Sequence, residues 1–238
     1  MNIIRTWMHK MCGVGIIILL GCSSAYGWYD KTHLAVAKVT GYEGWYNAVG
    51  ADIAKLKAGR IEINNHFFNN PENKEITPAM VLSQVKRYND PQDLDGHLYG
   101  AIIGALQGYA HSTRDFKYAE HHIAYCAHYV GDLSQPLHNI PNDEFNLKNH
   151  NKNDGIVNEE VLDNLPEIKK YMYRITLRPD NFEDDLAREI ARIANFARYL
   201  GLRLRRENRD ITRQEAYRQL GHSASLLQAI LKHLGKVY

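Results

Sequence analysis

Apolar residues recur at intervals of three and four along most of the chain, the spacing of helices with one buried face. The clearest repeat is C-terminal: Leu186, Ile190, Ile193, Ala197, Leu200 and Leu204 form one stripe, and Ala216, Leu220, Ala224, Leu227, Leu231 and Leu234 form another. Two long helices therefore fill residues 180–238, and Thr212 with Glu215 three positions on supplies a capping box for the second. Residues 78–88, 96–111 and 117–132 show the same spacing, the last through Ala119, Ile123, Cys126, Ala127 and Val130. Residues 34–39 and 46–57 predict two shorter helices. Thr32 is placed to cap the first, with His33 near its start, and Gly59 ends the second, which presents Asp52 and Lys55 on one face. Residues 61–73 and 142–153 read as loops because asparagines crowd them, and residues 155–173 read as largely helical with a break at Pro166. Strand alternation is scarce, so the expected fold is all-α, a single-domain helical bundle.

Composition narrows this picture. With 238 residues, 45% hydrophobic, 24% charged and 7 prolines, the chain suits one domain with a sizeable core, and a disordered class is excluded. Arg5 and Lys10 precede an apolar run over residues 14–20 that is too short to span a bilayer, so residues 1–27 read as an export signal and residues 28–238 as the mature domain. Ala25-Tyr26-Gly27 offers a cleavage point that would leave Trp28 first, giving a secreted or periplasmic protein. The alternative, Leu19-Leu20-Gly21-Cys22, resembles a lipoprotein box that would anchor the protein through Cys22. Removing Arg5 and Lys10 lowers Lys+Arg from 29 to 27 against Asp+Glu 27, so net charge gives no argument for a polyanionic partner. Cys126 is then the sole cysteine, which leaves core burial or metal as the staple. It lies two residues before His128, about 200° round a helix, and is expected to pack and not to ligate.

The candidate chemistry centres on His128-Tyr-Val-Gly-Asp132-Leu-Ser-Gln-Pro136-Leu-His138. His128 and Asp132, four apart, share a helix face, a pair that alone is more often an ion pair than a metal site. Pro136 can bend or end the helix and swing His138 toward the same space. His150 and Asp154 repeat the His-x-x-x-Asp spacing, and the combined nitrogen and oxygen set suits zinc.

This central stretch resembles the signature of the zinc-dependent phospholipase C and single-strand nuclease superfamily, with the likeness running, with gaps, from Trp28 to about Asp154. The last helix is similar to the phospholipase branch. The resemblance implies a mostly helical fold around three zinc ions. Trp28, through its free amino group and carbonyl, would bind one zinc with His33 and Asp132; Asp132 would bridge to a second held also by Asp52, His66 and His128; and His138, His150 and Asp154 would hold the third. An amine ligates only when free of a peptide bond, which favours cleavage before Trp28 over acylation of Cys22. Taken singly, His33 reads as a capping or surface histidine, Asp52 as an exposed charge and His66 as a loop residue. His111, His121 and His122 match no ligand and read as surface or supporting groups, and His97, His222 and His233 read as structural.

The implied activity is hydrolysis of phosphodiesters by water that zinc activates, its pKa lowered from about 15.7 to about 7, with Asp52 orienting or deprotonating it. Two substrate classes compete, phospholipid and single-stranded nucleic acid. Lys55 falls where the nucleases carry an arginine, Phe67 where they stack a base, and Asn69 where they read it with an aspartate. The Asp52 to His66 spacing, the short His138 to His150 interval and the last helix resemble phospholipase C, although Lys31, Ile53 and Ile63 stand where a choline cage would need acidic or aromatic residues. Phospholipid head-group ester hydrolysis is the expected activity, with transient contact at a membrane surface and no obligate protein partner. A single-strand endonuclease is the alternative, and a non-catalytic zinc-stabilised binding domain the third reading. Arg203, Arg205, Arg206 and Arg209 form a basic cluster, most simply a solvated face.

Overall fold

The computed structural model describes residues 28–112 and 119–238, and every regular element among them is a helix. Residues 1–27, on which the export signal and Cys22 fall, lie outside the described residues. The α-helices are α1 (Asp30–Val39), α2 (Gly50–Ala58), α3 (Arg60–Ile63), α4 (Pro78–Val85), α5 (Leu98–Ser112), α6 (Glu120–Leu133), α7 (Glu144–Asp154), α8 (Leu165–Lys169), α9 (Phe182–Glu207) and α10 (Arg213–His233). Short 3-10 turns occupy Trp45–Asn47, Pro136–Asn139 and Pro179–Asn181. The all-α single domain expected from the periodicity is the fold observed.

Helix α6 is the axis. From Cys126 to Leu133 each of its residues is buried, and α1, α2, α5, α9 and α10 all pack on it. A helix apolar or small nearly all round has no solvent face, so any polar group it carries there must find partners inside. His128 and Asp132 are those polar groups.

The long C-terminal pair forms as its pattern dictates. Glu183, Asp184 and Asp185 open α9 and Arg205 and Arg206 close it, opposing the helix dipole at both ends. Asn208 ends it in the left-handed region at φ 45°. Thr212 and Glu215 make the capping box at the start of α10, with both reciprocal bonds present.

Several sequence expectations need correction. Thr32 does not cap α1: the helix begins at Asp30 after Tyr29, and Thr32 lies buried within it. Residues 46–57 split into the 3-10 turn and α2, and residues 61–73 open with the end of α3 before becoming loop. Residues 142–153 are no loop. Asp143 caps Asn146 N, and α7 runs on to Asp154. The asparagines that suggest a loop lie instead on the buried face of α7, which is its polar one: Asn146, His150, Asn153 and Asp154 are buried while Leu147 is exposed. Those amides are satisfied by backbone oxygens, Asn146 Nδ2 donating to Leu137 O at 2.7 Å and Asn153 Nδ2 to Asn149 O at 2.7 Å. Residues 155–163 are turns, so Pro166 breaks nothing; it stands in the first turn of α8, where its missing N–H costs no bond.

Candidate metal centre

Four elements converge on one buried space. α1 brings His33, α2 brings Asp52, the segment after α3 brings His66, and α6 brings His128 and Asp132. A second space beside it takes His138 from the Pro136–Asn139 turn and His150 and Asp154 from α7. Pro136 does what the sequence suggested. α6 stops at Leu133, and the 3-10 turn redirects the chain so that His138 Nδ1 lies 3.9 Å from Asp132 Oδ1.

Three sets of ligand atoms each lie within 4.8 Å of one another: His33, His128 and Asp132; Asp52, His66 and His128; and His138, His150 and Asp154. Asp132 is the hub. One oxygen lies 2.9 Å from His66 Nδ1 and 3.3 Å from His128 Nε2, the other 3.4 Å from His33 Nε2. Asp52 Oδ1 lies 3.5 Å from His128 Nε2 and 3.9 Å from His66 Nδ1. His138 Nε2 and His150 Nε2 are 3.1 Å apart, and His150 Nε2 is 3.3 Å from Asp154 Oδ2.

The imidazoles are oriented by groups outside the cluster. His128 Nδ1 donates to Ala48 O at 2.8 Å and His138 Nδ1 to His66 O at 2.5 Å, while His150 Nδ1 donates to Asn146 Oδ1 at 2.7 Å. Each bond takes up Nδ1–H and turns Nε2 toward the centre. His66 is turned the other way: its Nε2 faces Glu62 Oε1 at 3.1 Å, leaving Nδ1 inward. Glu62 also accepts from Tyr129 Oη at 2.6 Å, and Asn65 and His97 continue the network to Asp93. Gln135 supports the second space, its amide nitrogen donating to Asp154 Oδ1 and its oxygen accepting from Leu137 N.

The carboxylates and three of the rings are in the charge states that a cation needs. Burial would push Asp132 up, but His128, His138 and His33 hold its carboxyl well below the ordinary range. Burial likewise opposes ionisation of Asp52, and His128, Lys55 and His66 overcome it. Burial pushes His138 down to about 4 and keeps His33 and His150 low, so these rings are neutral. His128 goes the other way: against burial, Asp52 and Asp132 raise it to about 10. Two carboxylates thus compete for one buried proton where a metal would satisfy both. Both His33 nitrogens and Asp132 Oδ1 are buried without a hydrogen-bond partner, an expensive state that a cation between them would relieve.

The remaining expected site residues divide. Lys55 stands beside the centre, Nζ 2.5 Å from Asp52 Oδ1. Trp28 is buried, and Tyr29 N donates to Asp154 O at 3.4 Å, so the chain enters α1 against the end of α7. Ile63 is half-buried at the end of α3. Phe67 lines a cavity of about 10 Å³ with Phe68, Leu137, Ile140, Asn142, Asn146 and His150. Asn69 is committed on both sides of its amide, Nδ2 donating to Asp95 Oδ1 at 3.1 Å and Oδ1 accepting from Asn142 N at 2.9 Å.

His111, His121, His122, His222 and His233 take no part in these groups. His111 donates to Gln107 O, and His233 stacks on Phe182. Arg203, Arg205 and Arg209 pair with Glu215, Glu72, Asp143 and Glu207, a solvated ionic face as expected. Cys126 is buried, and burial pushes its thiol up to about 12, so it packs. Sequence reasoning missed Glu62 as an orienting group and took His97 as merely structural. The signal was present: Glu62 and His66, and Asp93 and His97, repeat the acid and histidine spacing of four that marked the ligands.

Compared with protein-family models, curated proteins and solved structures, the chain matches none.

Proposed function

We propose that this protein is a zinc-dependent phosphodiester hydrolase of the phospholipase C type. The observation that carries the reading is the meeting of eight side chains, His33, Asp52, His66, His128, Asp132, His138, His150 and Asp154, in three adjoining groups. Imidazole nitrogens mixed with carboxylate oxygens suit zinc better than the all-oxygen sets of magnesium or calcium. Asp132 would serve two ions at once, and Trp28, freed by cleavage before it, would add its amine beside His33.

Such ions supply Lewis acidity toward a phosphoryl oxygen and a lowered pKa for water. The chain's own residues do the rest. Asp52 is the most open of the carboxylates, its side chain 22% exposed where that of Asp132 is fully buried, so it is the group placed to accept a hydrogen bond from water at that edge and orient it. Lys55, held at Asp52, offers a fixed positive charge to the phosphate that approaches there.

Lipid is favoured over nucleic acid by Asn69. An amide that reads a base must be turned toward it, and Asn69 is held in place by one bond from Nδ2 to Asp95 and one to Oδ1 from Asn142. Phe67, turned into the small cavity with Phe68 and Leu137, likewise offers less of a stacking platform than an open aromatic would.

The test is a parallel assay on phospholipid vesicles and on single-stranded DNA and RNA, with zinc content measured in the same samples. The expected result is release of phosphorylated head groups, abolished by chelator and restored by zinc. Release of nucleotides alone would move the reading to the nuclease, and zinc without hydrolysis of any phosphodiester would leave a metal-stabilised binding domain.

A further inference from the structure

We propose that the outward face of α2 and α3 docks on anionic phospholipid bilayers; the purpose of such docking rests on the phospholipase reading above. Four large apolar side chains are exposed within residues 46–61: Tyr46 at 62%, Ile53 at 63%, Leu56 at 84% and Ile61 at 44%. Single exposed apolar residues are ordinary on a protein surface, but a run of them on one short stretch marks a surface built to meet something.

The charges say what that is. Over residues 50–63 the only acids are Asp52 and Glu62, and both are turned to the metal centre, Glu62 being 3% exposed. Of the cations, Lys55 is held at Asp52, while Lys57 and Arg60 are exposed beside Leu56 and Ile61. Within residues 46–61 the exposed side chains are therefore apolar, cationic or neutral, with no exposed acid. That combination fits the boundary of an anionic bilayer, where apolar side chains enter the acyl edge and lysine or arginine meets the head groups. A protein partner would more commonly meet an apolar patch with a mixed-sign rim.

Geometry ties the surface to the centre. Ile53, Leu56 and Lys57 follow one another at helical spacing on the same two turns that carry Asp52 and Lys55. Gly59, at φ 55° and ψ −129°, then turns the chain sharply into α3, a conformation that a side chain would resist. The corner presents Arg60 and Ile61 next to the end of α2. A bilayer meeting this face would lie on the helix that carries Asp52, the most open carboxylate of the set. The contact is peripheral, since among the described residues no helix is long and apolar enough to cross a membrane.

The test is co-sedimentation of the full chain, loaded with zinc, with vesicles of phosphatidylcholine alone and of phosphatidylcholine mixed with phosphatidylglycerol. Binding is expected to the mixed vesicles and to weaken with salt. Leu56→Ser with Ile61→Ser should weaken it about tenfold or more, and Lys57→Glu with Arg60→Glu by at least about fivefold for each charge. Both double variants should hydrolyse a small soluble phosphodiester as the parent does, which shows that they are folded. Equal binding to the two vesicle types, undiminished binding by the variants, or a dimer formed through this face that excludes vesicles would overturn the docking. Binding that depends on these residues with no lipid hydrolysed would uphold the docking and sink the phospholipase reading. Hydrolysis of detergent-dispersed lipid with no vesicle binding would do the reverse.

Discussion

Gly131 on α6 faces His33 on α1 so closely that a Cβ built on it would lie 2.4 Å from His33 Nδ1. No side chain fits there unless His33 moves. The glycine is thus a spacing element of the first ligand group, one residue before Asp132, and its replacement separates ligand geometry from ligand identity. Gly131→Ala is expected to cost about 1–3 kcal/mol of stability through overpacking and to release one zinc equivalent. Metal analysis and thermal unfolding check it. Full zinc content with an unchanged Tm would show that His33 is not a ligand.

Asp132→Ala removes the carboxylate that four rings surround, His33, His66, His128 and His138. Loss of hydrolysis is expected, with a fall in Tm because bound metal contributes folding free energy. Chelator should then lower the Tm of the parent much more than that of the variant. A fully active Asp132→Ala protein would refute the shared role.

Asn69→Ala tests the substrate argument. If its amide serves Asp95 and Asn142, the variant loses about 0.5–1.5 kcal/mol of stability and keeps its preference among substrates. A changed base preference on single-stranded DNA, with stability intact, would instead favour the nuclease.

The capping box of α10 gives a pH dependence. The Arg209 guanidinium, with Thr212, holds the Glu215 carboxyl down to about 2 from its ordinary 4.5. A depressed carboxyl contributes stability that is present above the ordinary value and is lost as pH falls toward the depressed one. The stability difference between the parent and Glu215→Gln should therefore be full at neutral pH and shrink between pH 4.5 and about 2. Denaturant unfolding across that range reads it, and a difference that stays constant would mean the ion pair contributes nothing.

Cys126 should be inert in the folded protein. Its thiol is buried and raised to about 12, so an aromatic disulfide reagent near pH 8 is expected to react only after unfolding. Rapid reaction of the native protein would place the thiol at a surface.

The sequence displayed most of the helices because their stripes are apolar, as in α9 and α10. It concealed α7 because a helix that feeds ligands into a centre buries asparagine, histidine and aspartate, which inverts the usual pattern. The ligand candidates were legible through repeated spacing of four on helices, while the convergence of His33, Asp52 and His66 onto α6 is a property of packing that no local spacing carries. Glu62 was hidden for a related reason. Its partners Tyr129 and His66 are brought to it across more than one element, and only the contact shows it as the support of a ligand.

The bonds from His128 Nδ1 to Ala48 O and from His138 Nδ1 to His66 O join segments far apart in the chain and owe nothing to metal. Among the described residues there is no disulfide, and these rings act as cross-braces in its stead. A brace of this kind needs no ion to hold it. Stripped of metal, the pocket would keep its shape, and reloading would be limited by the arrival of the cation and by proton loss from His128, with no refolding step. Alanine at either histidine therefore removes a girder along with a candidate ligand, and the loss of stability it causes is expected to exceed that caused by chelator alone.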